Sequence, residues 1–104
     1  MERVCFTFDI YAGKEAEYKK RHDEIWPELV TALQDCGFRN YSLFRRGLTV
    51  VGYLEAHPDS ATAFSKLGAY EVNAKWAAWF GDVIVNLADS QGNLMKLDEV
   101  WHLD

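Results

Sequence analysis

The chain opens on an alternation. From residue 4 to residue 10, Val4, Phe6, Phe8 and Ile10 are apolar while Cys5, Thr7 and Asp9 are smaller or polar. That is the period of a strand with one buried face. Ala12-Gly13 reads as a turn, and the period then changes. At about 100° per residue, Tyr18, His22, Ile25, Leu29, Leu33 and Cys36 share one stripe of a helix running from about Lys14 to Cys36. Lys19, Lys20, Arg21, Asp23, Glu24 and Glu28 point elsewhere, and Gly37 is a suitable stop. Pro27 falls inside the pattern, where it removes one amide donor and its ring meets the carbonyl of Asp23, so the helix is expected to kink one turn beyond His22.

Arg39 to Arg46 reads as a second strand, with Tyr41 and Leu43 on one face and Ser42 and Phe44 on the other. Gly47 marks a tight turn into a third strand, Leu48 to Glu55, making a hairpin. Pro58-Asp59-Ser60 has the chemistry of a helix start, with Asp59 or Ser60 as cap, and Ala61 to Leu67 forms a short helix that ends at Gly68. Val72, Trp76, Trp79, Phe80, Val83 and Ile84 then follow helical spacing. Ala88 to Asn93 is a polar loop, and Met95 to Leu103 alternates again as the last strand. The order βαββαβ is that of an α+β, ferredoxin-like split βαβ domain spanning residues 1–104, an antiparallel sheet with helices on one face. The other face is left bare. Phe6, Phe8, Tyr53 and Trp101 suggest that a second copy covers it, because large bare apolar patches are rare on monomers.

Composition narrows the function classes. With 49% hydrophobic and 14% aromatic residues, the 104-residue chain can build a core. A formal charge of -5 and no basic stripe argue against nucleic acid as a partner. Cys5 and Cys36 make neither metal-ligand spacing nor a disulfide framework and read as two thiols of a reducing cytoplasm. The N-terminus lacks the apolar core of a signal peptide, and no run approaches the roughly 18 apolar residues of a membrane span. A soluble, cytoplasmic protein is expected.

P-loop, GxGxxG, HExxH and nucleophile-elbow motifs are absent. The three histidines are scattered, so neither a metal nor another cofactor is expected. His57 and His102 read as surface residues, and Lys19-Lys20-Arg21 as a solvated helix face on which Arg21 could brace a carboxylate. What stands out is His22, an imidazole on an otherwise apolar stripe. Such a residue is either satisfied within the core or faces a pocket, where it can trade protons near neutral pH. Tyr18 lies one turn before it, and Tyr41 and Trp76 could line the same cavity. Phenols, an indole and one imidazole suit a sugar, whose C–H faces stack on aromatic rings and whose hydroxyls need partners. The same residues at helical spacing are more often plain core. Cofactor-free or haem-dependent oxygenases of this fold, and a non-catalytic sugar-binding module, remain as alternatives.

The run Glu17-Tyr18-Lys19-Lys20-Arg21-His22-Asp23-Glu24-Ile25-Trp26-Pro27-Glu28-Leu29 resembles the EYxxRHxxIWPEL signature of the L-rhamnose mutarotases. Gly37 to Leu43 is similar to that family's G…NYxI/L strand, and Leu97 to Asp104 to its LxEVFxL tail. The resemblance runs nearly end to end. It implies a dimeric isomerase that interconverts the α and β anomers of L-rhamnopyranose, with His22 as proton donor and Tyr18, Tyr41 and Trp76 contacting the sugar. The likeness departs at Ala77, where family members often carry a second tryptophan; Trp79 could fill part of that space. The base that would partner His22 is not identified by motif. Asp9, Glu55 and Glu99 are the strand carboxylates available, with water as the alternative.

Overall fold

A computed structural model describes all residues from Met1 to Asp104. Its strands are β1 (Glu2–Ile10), β2 (Phe38–Arg46), β3 (Thr49–Ala56), β4 (Ile84–Asn86) and β5 (Lys96–Leu97). Its helices are α1 (Glu15–Asp23), α2 (Pro27–Cys36), α3 (Ser60–Gly68) and α4 (Glu71–Trp79), the last running into a 3-10 turn at Phe80–Asp82. The sheet is antiparallel in the order β2-β3-β1-β4, and β5 also pairs with β1. This is the ferredoxin-like arrangement expected from the pattern, with each helical segment divided in two.

The division of the first segment follows from Pro27. A residue before proline is pushed into extended backbone, and Trp26 stands at φ -65°, ψ 128°. Proline then takes the first position of α2, where a missing amide donor leaves nothing unsatisfied. The expected kink is therefore a full break between two helices. Gly37 ends α2 at φ 103°, and a side chain there would run into the backbone carbonyl of His57.

Val4, Phe6, Phe8 and Ile10 of β1, and Val50, Leu54 and Ala56 of β3, are buried on the sheet face that the helices cover. Leu29, Ala32 and Cys36 of α2 and Ala63 and Leu67 of α3 are buried on the helical side of the same layer. Phe6 and Phe8 thus belong to the covered face, not to the bare one where their aromatic alternation had suggested a partner. The open face carries Tyr53 and Glu55 of β3 and an exposed Phe44 of β2. Beyond β5 the chain continues without regular pairing, and Val100, Trp101 and Leu103 are largely exposed. The long last strand expected from alternation is therefore two residues long. Helical spacing had placed Val83 and Ile84 on the preceding helix, whereas Ile84 begins β4 opposite Ile10. No helix is long and apolar enough to cross a membrane.

Candidate functional site

His22 lies in the last turn of α1, and its ring is half-buried. A carbonyl can only accept, so the 2.9 Å contact between its Nδ1 and the Tyr18 carbonyl makes Nδ1 the donor. In the neutral ring, Nε2 is then the basic nitrogen. Burial pushes the imidazole below its ordinary value of 6.5; the Tyr18 carbonyl and the nearby Asp23 charge oppose that shift without reversing it. His22 is therefore a neutral base at pH 7.

Its walls are aromatic. The ring of Tyr18 lies 4.4 Å away, Phe80 meets it edge-on at 5.2 Å, and Trp76 stands perpendicular to it at 5.5 Å. Tyr18 is buried between Phe8 and Phe80. The structure thus brings Tyr18, His22 and Trp76 into one cluster. Tyr41 joins at the other end. A register shift between Arg39 and Ser42, with Asn40 in the left-handed region at φ 49°, puts a bulge where Tyr41 leaves the ladder. Its ring meets Phe6 edge-on at 6.2 Å. Phe6 in turn lies over Gly52, where any side chain would strike its ring. As a whole residue Tyr41 is 41% exposed, but its hydroxyl end is the buried part, and burial pushes that phenol up to about 12. The Tyr18 phenol is pushed up as well, by burial first and by the neighbouring Tyr41 second. Both are neutral hydroxyls at physiological pH, able to donate and accept hydrogen bonds.

Two residues that the pattern analysis passed over belong to this cluster. Trp26, released from helix by Pro27, stacks on Trp79 at 5.3 Å and meets Trp76 edge-on at 5.0 Å. Trp79 thus packs against both Trp26 and Trp76. Arg21, read as part of a solvated basic run, is 8% exposed and ties α1 to the chain around Asp82. Only the Trp-Pro pair and the option of a braced carboxylate signalled either role in advance.

The strand carboxylates are elsewhere. Asp9 accepts from Thr49, Glu55 accepts from Asn40 and Tyr53, and Glu99 holds Arg3 through both oxygens. Asp9 and Glu55 alternate with buried core residues, and Glu99 is fixed by Arg3, which does the same; all three belong to the open side of the sheet, across from the imidazole. None can partner His22. His57 and His102 also lie outside the cluster; His102 bonds Asp104. No three His, Cys, Asp or Glu side chains come together as metal ligands would. A surface cleft of about 280 Å³ adjoins the tryptophans, lined by Trp26, Glu28, Glu71, Val72 and Lys75. A second, of about 520 Å³, lies along the β2–β3 hairpin at Phe44, Arg45, Arg46, Thr49 and Val51. Neither has His22 in its wall.

Comparison with known proteins gives a consistent result. The sequence model of the L-rhamnose mutarotase family matches residues 3–103. The chain is 36% identical over 106 residues to an L-rhamnose mutarotase of Oceanobacillus iheyensis, with both chains covered completely. It is 35% identical to one of Agrobacterium fabrum, covering 99% of this chain and 96% of the relative. Among solved structures, an L-rhamnose mutarotase from Formosa agariphila superimposes with a TM-score of 0.81 at 27% identity over the whole of both chains. The tetracenomycin F2 cyclase of Streptomyces glaucescens, at 16% identity and a TM-score of 0.69, shares the fold.

Proposed function

We propose that His22 moves the protons of anomer exchange in this chain, which belongs to the L-rhamnose mutarotase family and is an isomerase of that sugar's anomers. The exchange opens the hemiacetal ring and closes it on the other face. The anomeric hydroxyl gives its proton to Nε2 of neutral His22. The bond between the anomeric carbon and the ring oxygen breaks, leaving an aldehyde, and the imidazolium returns the proton to the ring oxygen. After rotation about C1–C2 the same steps run backwards. One nitrogen serves both oxygens, so no strand carboxylate is required. Tyr18 and Tyr41 supply neutral hydroxyls for the sugar, and Trp76 an apolar face for its C–H groups.

The observation that carries this reading is the imidazole held in one tautomer, neutral, and enclosed by Tyr18, Trp76 and Phe80. Positioned proton transfer of this kind is worth about 10² to 10⁴ in rate. His22→Ala is expected to lower the exchange of L-rhamnose anomers, read by saturation-transfer NMR, by about that factor with the fold retained. Wild-type exchange in that variant would remove His22 from the mechanism.

The reading includes a homodimer formed through the open sheet face, supported by exposed Phe44 and by the apolar tail at Trp101 and Leu103. It also includes a cytoplasmic site of action, which suits two free thiols. Nothing in the comparisons favours an oxygenase or a non-catalytic sugar-binding module.

A further inference from the structure

The wall that faces His22 is weakly anchored for an element beside a reaction centre. No residue of α4 is fully buried, and its N-terminal end has no side-chain cap. Below it, Phe80 and Val83 are buried and fix the depth of the chain. Beside the ring contacts of Trp76 and Trp79, the polar tie between this segment and α1 is Arg21. The Nη1 of Arg21 donates to the Trp79 carbonyl at 2.9 Å and to Asp82 Oδ1 at 3.1 Å, and Nη2 donates to Asp82 Oδ2 at 3.3 Å. On its own helix, Nε donates to Glu17 at 2.8 Å. The guanidinium also lies over the Trp79 ring at 4.4 Å and near the Phe80 ring at 5.3 Å. Charge-assisted, forked bonds of this type combine strength with directional control.

Arg21 is adjacent in sequence to His22, and Trp79 and Phe80 adjoin the turn that follows Trp76. We propose that Arg21 is a positioning residue for the isomerase: by pinning the Trp79–Asp82 segment to α1, it holds Trp76 and Phe80 at their set distance from the His22 imidazole. This rests on the reading that His22 and Trp76 act on the sugar. A displacement of about 1 Å at a reacting centre can lower a rate by about 10², and Arg21 is the one side chain that bonds across from the His22 helix to the turn below its aromatic wall, Lys14 reaching Asp82 from before the helix at 3.6 Å.

Four single variants and one double variant test this with kcat and KM for L-rhamnose, the NMR titration of the His22 ring, and the folded fraction of each protein. Arg21→Met keeps the stem and removes every bond. It is expected to lower kcat/KM by about tenfold to a hundredfold, to raise KM as Trp76 loosens, and to move the His22 titration upward as water reaches the ring. Besides Trp76 and Phe80, which carry no charge, the groups facing that ring are Tyr18 and Asp23, and neither is altered. Arg21→Lys should recover part of the loss. Asp82→Asn, which leaves α1 intact, should act in the same direction as Arg21→Met, and the double variant should be no worse than Arg21→Met alone. Glu17→Gln removes the charge from a bond within one helix and should change kcat/KM less than Asp82→Asn does. If Arg21→Met does not fold, Asp82→Asn carries the test. Wild-type KM and His22 titration in the folded variants would overturn the proposal, even with a lowered folded fraction. Wild-type exchange in His22→Ala would instead overturn the parent reading, while the titration in Arg21→Met would still report whether the wall had moved.

Discussion

The two halves of the helical layer are packed with different chemistry. Under α2 and α3 the contacts are mostly aliphatic and closed: Leu29, Ala32, Cys36, Ala63 and Leu67 are all buried, and the one ring pair there is Phe64 against Phe38. Under α1 and α4 they are aromatic and incomplete. Tyr18 and Phe80 are buried there, but His22, Trp26 and Trp76 are only half-covered and no residue of α4 is fully buried. The first half turns apolar area into stability in the ordinary way. The second keeps polar edges and ring faces within reach of solvent and relies on a guanidinium, where the first relies on close packing. On the proposed reading, close packing and proton transfer are thus assigned to different parts of one core.

That separation can be challenged directly. The largest effect is expected from Leu54→Ala, on the strand against which α3 packs. Removing this fully buried side chain should cost about 2–5 kcal/mol in urea unfolding, with anomer exchange per folded molecule unchanged; a matching loss of kcat would show that the two ends are coupled. A smaller effect is expected from Asp59→Ala, because Asp59 caps α3 by accepting from the Thr62 amide at 2.8 Å. Stability should fall by about 1 kcal/mol, again without a change in KM. The smallest effect concerns pH at the aromatic end. Burial lowers the folded pKa of His22, so between that value and 6.5 the unfolded chain binds the proton more readily. Stability from this group is complete above 6.5 and declines as pH falls through the window. The difference in Tm between wild type and His22→Ala should narrow on acidification from pH 7.5, if His22 is the residue responsible, and should then level off below the folded pKa.

Most of the aliphatic end could be read from periodicity. Alternation located β1 and the hairpin, the apolar stripe located Leu29 and Cys36, and Asp59 was recognisable as a cap. The aromatic end was legible in part. Helical spacing placed Tyr18 next to His22, but it drew a single stripe through Pro27 and so missed Trp26, whose position comes from the extended backbone that the proline imposes. Arg21 was assigned to solvent because a basic run usually is solvated; its partner Asp82 lies 61 positions away, and no local pattern encodes that pairing. The carboxylates Asp9, Glu55 and Glu99 were eligible as bases only while the face of each strand was undecided. The short β4 contains too few residues to show a period, and the alternation from Met95 to Leu103 could not reveal that just two of its residues find a neighbouring strand within the chain.

The bond from His22 Nδ1 to the Tyr18 carbonyl leaves the ring with a single working atom. On the proposed mechanism, whatever hydrogen that atom collects it has to hand back before the next molecule arrives. Such a device finishes every cycle in the condition in which it started and treats both ring forms alike. It shortens the wait for balance and has no means of tilting it, so the proportions of the two forms stay a property of the sugar.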